Sequence, residues 1–98
     1  MVDLTLVYIR FSAEKNEGLR RRHGVGFEEI VDAMRAGAIL DFYPHPSEKF
    51  RHQHVAVVRL RSYVYLVPFV PYEEGVFLKT FYPSRKATKY YGGSNGKK

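Results

Sequence analysis

The chain gathers many of its cations in three groups, and the last is the largest. From Leu78 to Thr88 the sequence reads LKTFYPSRKAT, with Lys89 directly after it. Phe77, Lys79 and Phe81 alternate with Leu78, Thr80 and Tyr82, a two-residue period that predicts a strand over 76–82. Pro83 has no N–H to offer a ladder and so ends that strand. Ser84, Arg85, Lys86, Thr88 and Lys89 then set hydroxyls and cations at the strand exit. Such a surface suits a phosphate-rich polymer, and the alternative is a solvated tail. The other two groups are Arg20-Arg21-Arg22 and the pair Arg59 and Arg61.

These residue types admit one hydrolytic chemistry in particular. RNA brings its own nucleophile, so a protein need only align the 2′-OH, neutralise the phosphorane and move two protons. Arg59 and Arg85 are candidates for holding the phosphate. Arg22, Arg61, Lys79, Lys86 and Lys89 would add binding field, and His23, His54 or Tyr91 would carry protons. His23 is attractive because an unperturbed imidazole titrates near neutrality, and the neighbouring arginines are expected to lower its pKa further. The arginine run also has a plain structural reading, as helix-terminal cations facing the helix dipole.

Other chemistries find little support. With no cysteine there is no thiolate nucleophile, disulfide or thiolate metal site. His52 and His54 would share one face of a strand, but no third ligand stands at a familiar interval, so neither a metal nor a cofactor is expected. No phosphate-binding glycine loop, dinucleotide fingerprint or nucleophile elbow is present. No apolar run is long enough to span a bilayer, and residues 2–9 lack a cleavage site, so a cytoplasmic protein without a membrane partner is expected.

Ninety-eight residues make one domain, and 45% hydrophobic content with 8 Tyr and 7 Phe can build a core. The net charge of +6 biases the surface toward polyanions. Residues 2–11 read as a strand. Ser12 caps a helix over 13–23, polar around most of its circumference and stopped at Gly24. Gly26 opens a second helix in which Phe27, Ile30, Val31 and Met34 form an apolar stripe at i, i+3, i+4 and i+7. Glu28, Glu29 and Asp32 read as solvated charges on its other face. Strands are expected over 38–43, 52–61, 63–70 and 76–82, with Pro68 and Pro71 keeping the far end of the fourth away from the sheet centre. The third strand sends Ala56, Val58 and Leu60 to the core and Arg59 and Arg61 to the other side. The predicted domain is therefore α+β, ordered β-α-α-β-β-β-β, with a helix pair on an antiparallel sheet. It spans residues 1–91, and a disordered Gly-rich basic tail follows over 92–98.

Four segments carry a resemblance: Glu14-Lys15-Asn16, Arg22-His23-Gly24-Val25, Phe27-Glu28-Glu29 and Ser84-Arg85-Lys86-Ala87-Thr88. Together they resemble the BrnT toxins, small RelE-like ribonucleases of bacterial type II toxin–antitoxin pairs. The likeness covers about residues 11–91, and Phe11-Ser12 stand where the family usually has Trp-Asp. It implies a RelE-like fold and metal-independent endoribonuclease activity that inhibits translation. The implied partners are RNA, free or on a ribosome, and a cognate antitoxin that blocks the site. Carried over by position, the family's basic residue before His-Gly is Arg22, followed by His23; its central-strand arginine is Arg59, and its late arginine is Arg85. A non-catalytic nucleic-acid or partner-binding module of the same fold is the other reading.

Overall fold

The apolar stripe of the second helix organises the core. In a computed structural model, which describes residues 7–92, Phe27, Ile30 and Met34 are fully buried and Val31 is half-buried. Burying a side chain of this size stabilises by about 2 kcal/mol. The elements run β1 (Tyr8–Phe11), α1 (Ala13–His23), α2 (Phe27–Arg35), β2 (Ile39–Pro44), a 3-10 turn (Glu48–Phe50), β3 (His54–Leu60), β4 (Tyr63–Tyr72), β5 (Gly75–Leu78), β6 (Tyr82–Pro83) and a short α3 (Arg85–Ala87). A π turn, Thr88–Gly92, continues α3. The fold is a small α+β unit of three helices and one six-stranded sheet, and no helix of the described residues is long and apolar enough to cross a membrane. Residues 2–6 of the predicted first strand, and 93–98 of the predicted tail, lie outside the described residues.

The sheet is mixed rather than antiparallel. Its order is β1-β5-β4-β3-β2; β1 pairs in parallel with β5, and every other pairing is antiparallel. The parallel pair comes so close that a Cβ on Gly75 would collide with the Tyr8 backbone, which explains a glycine there. Helices α1 and α2 cover one face. Ala56, Val58, Val67, Phe69, Val76, Leu78 and Phe81 meet Leu19, Phe27, Ile30 and Met34 there.

The strand predicted over 76–82 breaks after Leu78. The Lys79 N–H donates to the Pro68 carbonyl at 2.9 Å, and the reciprocal bond is impossible because Pro68 has no N–H. The ladder therefore stops, and the chain steps out and re-pairs as β6, with Tyr82 opposite Leu66 and Pro83 opposite Tyr65. The step breaks the expected alternation: Leu78 and Phe81 enter the same core, and Phe81 packs edge-on to Phe27 at 5.2 Å. Pro83 is the last residue of the resumed pairing, so the strand ends there as expected, directly before Ser84. β4 lies in the middle of the sheet, but its proline-bearing end is one-sided as expected: β3 pairs with it only as far as Phe69, and Val70–Tyr72 pair with β5 alone, while Pro68 sits opposite Val55 at the break between β5 and β6.

Helices α1 and α2 are clamped by groups that sequence alone suggests are solvated charge. The buried Asn16 accepts the Phe27 N–H at 2.7 Å and donates to both Glu28 oxygens at 2.9 Å. Arg20 reaches Glu28 at 2.6 Å and Glu29 at 3.0 Å, and Glu29 accepts the Gly26 N–H at 2.9 Å. A Cβ at Gly26 would overlap Arg20 and Asn16. Glu28 and Glu29 thus hold the helix pair together. The guanidinium of Arg20 and the Gly26 amide hold the Glu29 carboxyl down at about 2.

Candidate nucleic-acid interface

The face of the sheet away from α1 and α2 is covered in part by the C-terminal turn. Ser84 caps α3, its hydroxyl accepting the Ala87 N–H at 3.0 Å. Thr88 accepts the Val64 N–H at 3.0 Å and donates to the Ser84 carbonyl at 2.7 Å, while the Ser84 N–H donates to the Val64 carbonyl at 3.0 Å. Ala87 packs on Val57 and Val64, with Tyr43, Leu66 and Tyr91 around them. The expected strand exit with its hydroxyls is thus a helical turn tied down at Val64. Its small residues act as anchors, and Arg85, Lys86 and Lys89 are all exposed.

Arg59 stands directly opposite this anchor, Val64, in the β3–β4 pairing. Its guanidinium donates to the Tyr91 carbonyl at 3.4 Å. The Tyr91 hydroxyl donates to Asp41 Oδ2 at 3.0 Å. Burial first, and then that carboxylate, push the Tyr91 phenol up to about 12. The Tyr43 phenol is also raised, mainly by burial, with Tyr82 and Asp41 adding to the effect. A cleft of about 320 Å³ opens between Tyr43, Leu66, Lys86, Ala87, Tyr90 and Tyr91. One face therefore brings together Arg59, Arg85, Lys86, Lys89 and Tyr91. Arg61 is exposed at the tip of the β3–β4 hairpin in a left-handed conformation, φ 61°.

The remaining candidates lie elsewhere. His23, at the end of α1, lies with its ring 5.7 Å from that of Phe81 on the helix side, and Arg22 is exposed beside it. The His23 pKa is lowered, chiefly by burial and secondly by Arg22; Arg20, expected to contribute, is engaged by the glutamates. His54 shares the helix-side face of β3 with Ala56 and stacks on Phe69 at 5.7 Å, and its buried Nδ1 finds no hydrogen-bond partner among the described residues. β3 starts at His54, so His52 lies in the preceding turn and the two do not share a strand face. Lys79 is exposed, its ammonium 5.5 Å from the Phe77 ring centroid. Among the described residues, no three His, Cys, Asp or Glu side chains converge as a ligand set.

Asp41 carries no signal in the sequence, and the reason is local. The β2–β3 register shifts between Ile39 and Asp41, so Leu40 is the extra residue of a bulge. Without the bulge Asp41 would share the face of Ile39, which packs on the helix side; with it, Asp41 turns toward Tyr91. No family model, curated protein or solved structure matches the chain.

Proposed function

We propose that this protein is a BrnT-like toxin of RelE-like fold, which inhibits translation by cutting RNA at the face built by β3, β4 and the C-terminal turn. The observation that carries the reading is the assembly of Arg59, Arg85, Lys86, Lys89 and Tyr91 around one anchor, Val64. The likeness of Ser84–Thr88 and of the helix-pair segments to that family supports it from the sequence side. Arg85, with a planar fork able to take two non-bridging oxygens, and Arg59 hold the scissile phosphate; Lys86 and Lys89 steer the strand. In the reaction the 2′-oxygen bonds to phosphorus and the P–O5′ bond breaks. The 2′ proton passes to the Tyr91 hydroxyl as the phenol hands its own to Asp41, and the departing 5′-oxygen takes a proton from solvent. The products are a 2′,3′-cyclic phosphate and a 5′-hydroxyl, with no metal in the balance. An antitoxin covering this face would silence it.

A second reading, a binding module without cleavage, is favoured by the location of both histidines on the helix side and by the commitment of the Tyr91 proton to Asp41. Incubation of purified protein with RNA in excess EDTA separates the two. Cyclic-phosphate ends that vanish in Arg85→Ala and fall at least tenfold in Tyr91→Phe support cleavage at this face. Saturable RNA binding without new ends supports the binding module. Cleavage that appears only on adding a divalent ion overturns the proposed chemistry.

A further inference from the structure

A second concavity lies beside the proposed RNA site. It is a cleft of about 290 Å³ where the loop between β2 and β3 meets the chain leaving β5, lined by Lys15, His45, Phe50, Gln53, Lys79 and Tyr82, with Pro68 and Thr80 completing it. This cleft and the tyrosine-lined one meet where Tyr82 pairs opposite Leu66, but no residue lines both. We propose that it binds a phosphomonoester.

The polarity of the lining is one-sided. The Ser47 N–H donates to His45 Nδ1 at 3.1 Å, so that nitrogen is an acceptor and the ring carries its hydrogen on Nε2. His45 is braced against Phe50 at 5.1 Å between ring centroids, with Nε2 left to donate. Lys15 and Lys79 line the cleft, and neither is ion-paired among the described residues, whose ion pairs use Arg20 and Arg51; the Lys79 ammonium rests 5.5 Å from the Phe77 ring centroid. Gln53, a polar residue only 7% exposed, contributes an amide. No carboxylate among the described residues lines the cleft, and the acid of the adjoining turn, Glu48, faces Arg51 at 3.5 Å. Two cations and several neutral donors without an acid match a doubly charged oxyanion. Phe50, Pro68 and Tyr82 leave apolar wall on which the organic part of a monoester, such as a nucleoside, can lie.

The test is NMR of the full ¹⁵N-labelled chain at constant ionic strength, titrated with inorganic phosphate and then with adenosine monophosphate, chloride serving as the control. Saturable shifts of the Ser47 and Gln53 amides are expected, with the nucleotide binding more tightly than phosphate. Affinity is expected to fall at least tenfold in the Lys15→Ala/Lys79→Ala double variant, whose changes are both on the surface. Arg85→Ala is expected to leave these shifts unchanged, so that loss of RNA cleavage and loss of this site are read separately. A linear drift shared by all exposed cations, or equal affinity in the double variant, overturns the proposal. Competition then names the source. Displacement of the nucleotide by a 5′-phosphorylated oligoribonucleotide, but not by its 5′-hydroxyl form, assigns the site to a strand end; displacement by neither assigns it to a small free phosphomonoester. Either outcome sustains the site.

Discussion

At the scale of single residues, the interaction that most shapes the proposed chemistry is the hydrogen bond from Tyr91 to Asp41. It sets the phenol proton beside a carboxylate, and burial with that negative charge opposes ionisation, holding the group up at about 12. A phenol whose folded pKa lies above its unfolded value stabilises the fold below the unfolded pKa of 10, and that contribution is lost as pH rises from 10 toward 12. We therefore predict that Asp41→Asn lowers the pKa of Tyr91 toward 10, and that the mutant loses less stability than the parent over this alkaline range. Ring-carbon NMR titration reads the first effect and urea unfolding at stepped pH the second. An unchanged Tyr91 midpoint in Asp41→Asn would show that the carboxylate does not govern the phenol. His23 shows the opposite balance. Burial lowers its pKa, so the ring resists protonation in the fold and stability declines as pH falls below the unfolded value of 6.5.

At the scale of elements, the short motifs turn out to be mainly architecture. Asn16, Gly26, Phe27, Glu28 and Glu29 lock α1 to α2, and Ser84, Ala87 and Thr88 lock the last turn to Val64. Within Ser84–Thr88 the cations Arg85 and Lys86 are the displayed residues. Asn16→Ala leaves the buried Phe27 N–H without its acceptor, and it is predicted to cost about 1–3 kcal/mol, measured by chemical unfolding. Glu29 adds a pH signature. Its folded pKa of about 2 lies below the ordinary value of 4.5, so its contribution is present above 4.5 and fades as pH falls toward 2. Glu29→Gln is predicted to flatten that acid limb, and an acid limb unchanged in this variant would show the clamp to be energetically silent.

The helices and the core stripe were legible because helical periodicity and capping are local: Ser12 accepts the Lys15 N–H and Gly24 takes φ 79°, as their residue types imply. The parallel β1–β5 pair, the break after Leu78 and the turn of Asp41 were not legible. Each depends on a partner distant in sequence: Tyr8 against Gly75, Pro68 against Lys79, and the bulged register of β2 on β3. Of the candidate site, the cations were readable from their density, and Arg59 from strand alternation. That the histidines would fall on the helix side, and that Asp41 would meet Tyr91, required the tertiary fold.

At the scale of the whole molecule, the sheet separates two jobs. One face buries the helix pair and makes the core. The other carries the C-terminal turn and the cations Arg59, Arg85, Lys86 and Lys89 beside a tyrosine-lined cleft, in a chain of net charge +6. Charge alone would make binding diffuse, whereas the proposed function concentrates it on this second face. The most direct measurement is the salt dependence of binding to a single-stranded RNA, compared between Arg59→Ala and Arg85→Ala on that face and Arg21→Ala and Arg22→Ala on α1. Removing one cation from a phosphate is expected to reduce the slope of log affinity against log salt by about 0.7. Binding through the second face requires that reduction, with weaker affinity, in the first pair and parental slopes in the second. Equal effects in all four variants, or losses confined to Arg21 and Arg22, would contradict it.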